Sequence, residues 1–255
     1  MPDPIAFVFF GFEVRWYGVL IALAMMIGIL IAIKRASKKN IIADHILDIL
    51  IVSIPFAILG ARLYYVAFSL DYYLAYPEQI FAIWLGGLAI HGGLIGAFIG
   101  GYIVCRIKKL NFLVILDIFA PCFPLGQAIG RWGNYLNQEA YGSETNLPWA
   151  ITVTDPLKGI IKVHPTFLYE SISNIIIFVF ILFYEKKFKK TDGELICTYA
   201  ILYSCVRYFI EGLRTDSLYF YNFRIAQLVS IALIILGLTF LVILRKKQIN
   251  KDKYN

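Results

Sequence analysis

Long apolar runs, separated by short polar segments, recur along the whole chain. They cover Trp16–Ile33, Ile46–Phe68, Trp84–Val104, Leu113–Ile129, Phe167–Tyr184, Leu195–Leu213 and Ile225–Leu244. A helix needs about 20 residues to cross a hydrocarbon layer about 30 Å thick. Each run is near that length, and an isolated strand would leave its backbone unpaired in lipid. The pattern therefore predicts an all-α integral membrane protein of seven transmembrane helices, forming a single membrane domain over residues 1–255. The segment Arg131–Pro165 is too long for a plain connector. It is expected to form a small external cap, with a short strand at Trp149–Thr154.

Composition agrees with this pattern. Hydrophobic residues make up 60% of the chain and charged residues only 16%, against roughly a quarter charged in soluble domains. The opening Met-Pro-Asp-Pro-Ile lacks the basic segment of a signal peptide, so the first run is expected to be a permanent helix.

Charge then sets the expected orientation. Sixteen of the 24 lysines and arginines follow spans one, three, five and seven, in the groups Lys34–Lys39, Arg106–Lys109, Lys186–Lys190 and Arg245–Lys253. By the positive-inside rule that side is the cytoplasm, which puts the N-terminus outside and the C-terminus inside. The net charge of +7 is thereby explained as topology anchors, and no nucleic-acid partner is needed. Tyrosines and tryptophans such as Trp16, Tyr17, Tyr72, Trp84 and Trp149 fall at the opposite rim, where such side chains favour the headgroup level.

On this topology the unusual polar residues gather at the outer ends of the spans. The densest stretch is Gly130-Arg-Trp-Gly-Asn-Tyr-Leu-Asn-Gln-Glu-Ala-Tyr-Gly142, directly after span four. His91 lies about two turns into span three, Arg62 in the outer third of span two, and His164 and Glu170 at the opening of span five. Tyr203, Arg207 and Glu211, at i, i+4 and i+8, share one face of span six, and Arg214 continues it. A charge near a membrane-helix centre costs about 2.5–3.5 kcal/mol on insertion scales. Such residues usually face the bundle interior and mark function. The plainer reading of Arg207 and Glu211 is a pair that neutralises itself. Glu170 needs a partner, and Asn174 at i+4 is on its face. Gly92, Gly96 and Gly100 form a ladder suited to close helix packing. Asp117 has no role that the sequence assigns.

Other chemistries are absent as motifs. No His-Glu-x-x-His, P-loop, nucleotide fingerprint or nucleophile elbow occurs. The four cysteines have no Cys-x-x-Cys spacing and read as packing residues. No metal or cofactor is expected.

Several segments together resemble the prolipoprotein diacylglyceryl transferase family. They are Arg15-Trp-Tyr-Gly, Gly60-Ala-Arg-Leu-Tyr-Tyr, His91-Gly-Gly-Leu-Ile-Gly, the Gly130–Gly142 block, His164-Pro-Thr-Phe-Leu-Tyr-Glu and Arg207-Tyr-Phe-Ile-Glu. The resemblance runs nearly end to end. It implies an enzyme of the bacterial cytoplasmic membrane, working near the outer leaflet. Such an enzyme moves a diacylglyceryl group from phosphatidylglycerol to the lipobox cysteine in the signal peptide of a preprolipoprotein. A thioether forms and glycerol phosphate leaves. The resemblance also implies that Arg131 and Arg207 bind the phospholipid and act in catalysis. It gives functional importance to Tyr17, His91, Asn134, Glu139, Gly142, Tyr203 and Glu211. His91 fits a general base and the arginines fit donors to a phosphate. Two other classes stay open on the residues alone. One is a small transporter or receptor for an anionic solute, although no internal repeat is found; the other is a different phospholipid-headgroup enzyme.

Overall fold

The computed structural model describes residues 3–155 and 157–254. The opening Met1-Pro2 and the Pro156 of the expected cap lie outside the described residues, as does the side chain of Lys253. The chain divides into two compact units, Met1–Ala32 with Leu116–Asn255, and Ile33–Ile115.

Helices dominate. They are α1 Trp16–Ser37, α2 Ala43–Ala67, α3 Leu70–Ala75, α4 Ile90–Ile107, α5 Phe112–Phe119, α6 Cys122–Leu136, α7 Thr166–Lys187, α8 Glu194–Glu211 and α9 Ile225–Tyr254. Among the described residues six stretches are long and apolar enough to cross a membrane: α1, α2, α4, α5 with α6, α7 and α9. The chain is a multi-pass membrane protein. Its helices turn large apolar side chains outward, among them Ile51, Ile176 and Leu236. In water such surfaces would promote association; in lipid they are the natural face. The helix at the sixth expected span, α8, is 18 residues long but carries Glu194, Arg207 and Glu211. Those charges keep it out of the apolar set.

Three short antiparallel hairpins accompany the helices: β1 Ile5–Phe9 with β2 Phe12–Arg15, β3 Ile151–Asp155 with β4 Gly159–Val163, and β5 Tyr219–Phe220 with β6 Phe223–Arg224. The first and third were not expected. Gly11, at φ +83°, turns the first hairpin, in a conformation that costs glycine little. The Asp155 carboxylate accepts the Leu157 and Lys158 amides and so ties the second.

In the unit Ile33–Ile115, α2 and α4 lie backbone to backbone. A Cβ on Gly60, Gly92 or Gly96 would run into the backbone of the facing helix. The small-residue ladder read from the sequence thus meets Gly60 and Phe56 of α2, a close approach that favours association in lipid through dispersion contacts. The start of this helix corrects the sequence reading. Trp84–Ala89 is not α-helical: Ile83–Leu85 makes one 3-10 turn, and Gly86 and Gly87 take φ values of +85° and +70°. His91 is therefore the second residue of α4, not two turns inside it. Arg62 of α2 explains the break. Only 4% exposed, it donates to the carbonyls of Ile80 at 2.7 Å, Gly86 at 2.7 Å, Gly87 at 3.0 Å and Gln79, and lies 5.1 Å from the Tyr73 ring centre. A buried guanidinium needs such partners, and meeting them folds the 79–87 loop onto α2.

In the other unit α6, α7, α8 and α9 pack in sequence. Ala120, Ile177, Ile181 and Leu195 form a buried cluster between them, with Tyr199, Tyr203 and Val206 against it. The fourth expected span is broken between α5 and α6 at Ala120–Pro121. Proline has no amide to donate and clashes with the preceding turn, so the helix restarts there. The restarted helix reaches Leu136, so Arg131 and Asn134 sit inside its last two turns and do not follow the span as expected.

Candidate active site

The site grows around Glu170, a carboxylate for which the sequence offered Asn174 as the partner on its face. Glu170 stands one turn into α7 and is 2% exposed. A buried, unpaired carboxylate would be strongly unfavourable. Three arginines offset that burial. Arg131 Nη2 of α6 lies 2.6 Å from Glu170 Oε2, and Arg207 Nη1 of α8 and Arg214 Nη1 donate to Oε1 at 3.0 and 3.3 Å. The Arg131 contact is close in charge but poorly aligned as a hydrogen bond, since Oε2 has no donor at good geometry. The expected partner, Asn174, instead donates to the Glu170 backbone carbonyl at 2.9 Å.

Arg207 also bridges to Glu211 one turn on, Nη2 to Oε2 at 2.6 Å. The plain reading of a self-neutralising pair is therefore incomplete, because its other amine goes to Glu170. Arg214 lies past the end of α8 and does not extend its face. Its Nε and Nη2 grip Asp216 in a two-pronged fork at 2.9 and 2.6 Å. Burial works against the charge of Asp216, yet the Arg214 fork outweighs it and holds the carboxyl below its ordinary value. In direct contact are three guanidiniums and three carboxylates.

The Gly130–Gly142 block supplies the other side. Arg131 Nη1 donates to Asn134 Oδ1 at 3.2 Å, and Asn134 Nδ2 donates to Glu139 Oε1 at 2.9 Å. Arg131 and Asn134, three apart, share a helix face. Glu139 follows the helix end, where Gln138 and Ala140 adopt left-handed φ values of +52° and +57°. Gly133 lies under the Tyr17 ring of α1, which fills the space a side chain would need. Gly142 is a junction: its amide donates to His164 O at 3.0 Å, it forms a β-bridge with Arg214, and a Cβ there would come within 2.7 Å of His164 Cβ. That junction brings Arg214 back onto Glu170. Tyr203, one turn before Arg207, stacks on Tyr199 with ring centres 5.7 Å apart.

The structure thus links Arg131, Asn134 and Glu139 to Arg207 and Glu211 through Glu170. Tyr17, Gly142 and Tyr203 attach to the elements that hold them. His91 belongs to the other unit, where it is exposed at the start of α4, 6.1 Å from the Tyr64 ring. Sequence reasoning missed Glu170 and Arg214 as members of the network. A carboxylate one turn inside an apolar helix was the available signal for Glu170. Chemically, Arg131 and Arg207 are 21% and 18% exposed, while Arg214 is 10% exposed and already gripped by Asp216. The first two are therefore the more accessible guanidiniums of the network.

Residues 4–243 match the family model described as prolipoprotein diacylglyceryl transferase. The phosphatidylglycerol–prolipoprotein diacylglyceryl transferase of Finegoldia magna is 50% identical over 98% of this chain and 99% of its own length. That of Clostridioides difficile is 50% identical over 97% of this chain and 98% of its own. The Thermotoga maritima protein of the same name is 45% identical over 93% of this chain and 83% of its own.

Proposed function

The chain belongs to the prolipoprotein diacylglyceryl transferase family, and from that premise we propose that it moves the diacylglyceryl group of phosphatidylglycerol onto the cysteine thiol of a preprolipoprotein lipobox. It is a transferase, and the reaction is the first step of lipoprotein lipidation. A transporter or receptor for an anionic solute is not favoured, since relatives that match nearly end to end carry the transferase name.

The reaction balances as follows. The thiol loses its proton, and sulfur bonds to the glycerol carbon that carries the phosphate oxygen. That carbon–oxygen bond breaks, and its electron pair leaves with the phosphate. A singly charged phosphodiester becomes a doubly charged glycerol phosphate, so negative charge grows on the phosphate as the bond breaks. Fixed guanidiniums favour such a change because their dipoles need no rearrangement during the reaction. Arg131 and Arg207 are assigned that role. The observation that supports it is their attachment to one buried carboxylate, Glu170, which fixes both forks. Asn134 and Glu139 orient Arg131, and Glu211 orients Arg207. Tyr17, Gly142 and Tyr203 keep those elements in place. No cofactor or metal enters this scheme.

A free thiol has a pKa of about 8.5, so attack needs a base or a stabilised thiolate. His91 is assigned the proton, on the strength of the His91-Gly-Gly-Leu-Ile-Gly match. A His91→Gln chain is expected to transfer at least about 100-fold more slowly at neutral pH, within the range of general-base catalysis, and to regain rate as pH rises toward the thiol pKa. An active His91→Gln chain with the wild-type pH profile removes His91 as the base.

On the same reading, α8 is the sixth of seven spans. The N-terminus and the Arg131–Pro165 cap face outward, the C-terminus faces the cytoplasm, and residues 1–255 work as one membrane domain. The enzyme then sits in the bacterial cytoplasmic membrane with its active site near the outer leaflet, where signal peptides of exported lipoproteins emerge. The positive-inside distribution of Lys and Arg supports this orientation. Purified protein given phosphatidylglycerol and a lipobox peptide should add one diacylglyceryl unit to the peptide, read by mass spectrometry. A folded preparation that leaves the peptide mass unchanged refutes the assignment.

A further inference from the structure

Glu170 poses a problem for any enzyme that holds an anion with Arg131 and Arg207. It already occupies one amine of each, it is 2% exposed, and both of its oxygens are engaged by guanidiniums. Direct contacts in the cluster pair three cations with three carboxylates, so the described network is close to neutral before any ligand arrives. A phosphate that binds there competes with Glu170 for the same two arginines.

The competition matters most at the end of the reaction. This argument rests on the proposed transfer, in which the bound phosphate gains one negative charge as it becomes product. Two bare guanidiniums at low dielectric would hold a dianion more tightly than the monoanionic donor. Tight product binding slows turnover, and release is often rate-limiting. We propose that Glu170 is an internal counter-anion: a positioning residue that keeps Arg131 and Arg207 in one clamp and weakens their grip on the doubly charged product so that it leaves. Arg214 tunes the device. It draws on Glu170 Oε1 at 3.3 Å while its other two contacts go to Asp216. It therefore takes part of the Glu170 charge away from the clamp.

The test is the affinity for glycerol phosphate, measured by calorimetry on detergent-solubilised protein and as product inhibition of transfer. A Glu170→Gln chain keeps the shape and loses the charge. It is expected to bind glycerol phosphate on the order of tenfold more tightly while turning over more slowly. An Arg214→Gln chain is expected to shift the other way, by several-fold, because Glu170 is then fully available to the clamp. A residue that only held the fold together would weaken binding in both chains. Weaker or unchanged glycerol phosphate affinity in a folded Glu170→Gln chain overturns the proposal. Should that chain not fold, Arg214→Gln decides by selectivity: glycerol phosphate affinity that is unchanged, tighter, or weakened no more than the KM for phosphatidylglycerol rises overturns the proposal. Arg131→Gln, measured in parallel, separates this inference from the reading beneath it. If Arg131→Gln leaves glycerol phosphate affinity intact, the clamp itself is wrong. If Arg131→Gln weakens binding and Glu170→Gln fails to tighten it, only the counter-anion is wrong.

Discussion

An Arg131→Lys chain is expected to insert and fold, yet to transfer the diacylglyceryl group about 100-fold more slowly, in line with the loss of one fixed donor to a developing anion. The substitution keeps the charge and removes the fork. Arg131 makes two different contacts with two different amines: Nη2 to Glu170 at 2.6 Å and Nη1 to Asn134 at 3.2 Å. A lysine ammonium is a single point and cannot span both while also offering a paired edge to phosphate. Asn134 would lose the acceptor role that sets its amide toward Glu139. The loss should appear mainly in kcat, because it concerns charge that develops as the bond breaks; the KM for phosphatidylglycerol should rise only modestly. Steady-state transfer to a lipobox peptide measures both. Near-normal kcat in a folded Arg131→Lys chain would mean that charge alone suffices, and the two-pronged phosphate contact would have to be given up.

The helical architecture was legible because a membrane imposes a single strong rule. Runs such as Trp16–Ile33 and Phe167–Tyr184 were found nearly at their structural bounds, Trp16–Ser37 and Thr166–Lys187. The misplaced boundaries share one cause. Hydropathy reads an apolar residue as helix whether or not the backbone continues. Trp84–Ala89 is apolar, yet Gly86 and Gly87 turn with positive φ and Arg62 holds their carbonyls from α2. Pro121 breaks span four for a similarly local reason, and the helix then runs on past Arg131.

The site was half legible. The spacing of Arg207 and Glu211 fixed their pairing, because it is internal to one helix. Glu170 could not be matched to Arg131 and Arg207 from spacing, since they lie on three helices, and only packing of α6, α7 and α8 brings them together. Gly142 was singled out by resemblance. Its β-bridge to Arg214 gives that choice a physical basis, since a side chain there would push His164 and Thr166 away.

Asp117 had no role in the sequence, and its surroundings predict the largest loss of stability among single substitutions away from the site. It lies in α5, 2% exposed, and caps a different helix. Its Oδ2 accepts the Gly193 amide at 2.8 Å, its Oδ1 accepts those of Leu195 at 2.9 Å and Ile196 at 3.1 Å, and Lys189 Nζ lies 2.7 Å away. The first amides of a helix have no partner within it, and their partial positive charge favours a carboxylate. Gly193, at φ +92°, sets the entry to α8 so that these amides converge on the acid. Asp117→Ala would leave three amides and the mostly buried Lys189 without this anion. Breaking a buried pair on one side costs about 3–5 kcal/mol. Asp117→Asn keeps an acceptor for the amides and should cost less. Removing Lys189 as well should recover part of the Asp117→Ala loss, because a charge left with the more distant Asp192, 3.6 Å away, goes with it. Thermal or denaturant unfolding in detergent of these three chains, against the unsubstituted one, gives the values. Arg207 lies near the other end of α8, about 20 Å from its start at 1.5 Å per residue. Activity per folded molecule should therefore be unchanged. An Asp117→Ala chain that stays fully stable but cannot transfer would move Asp117 from the scaffold to the chemistry.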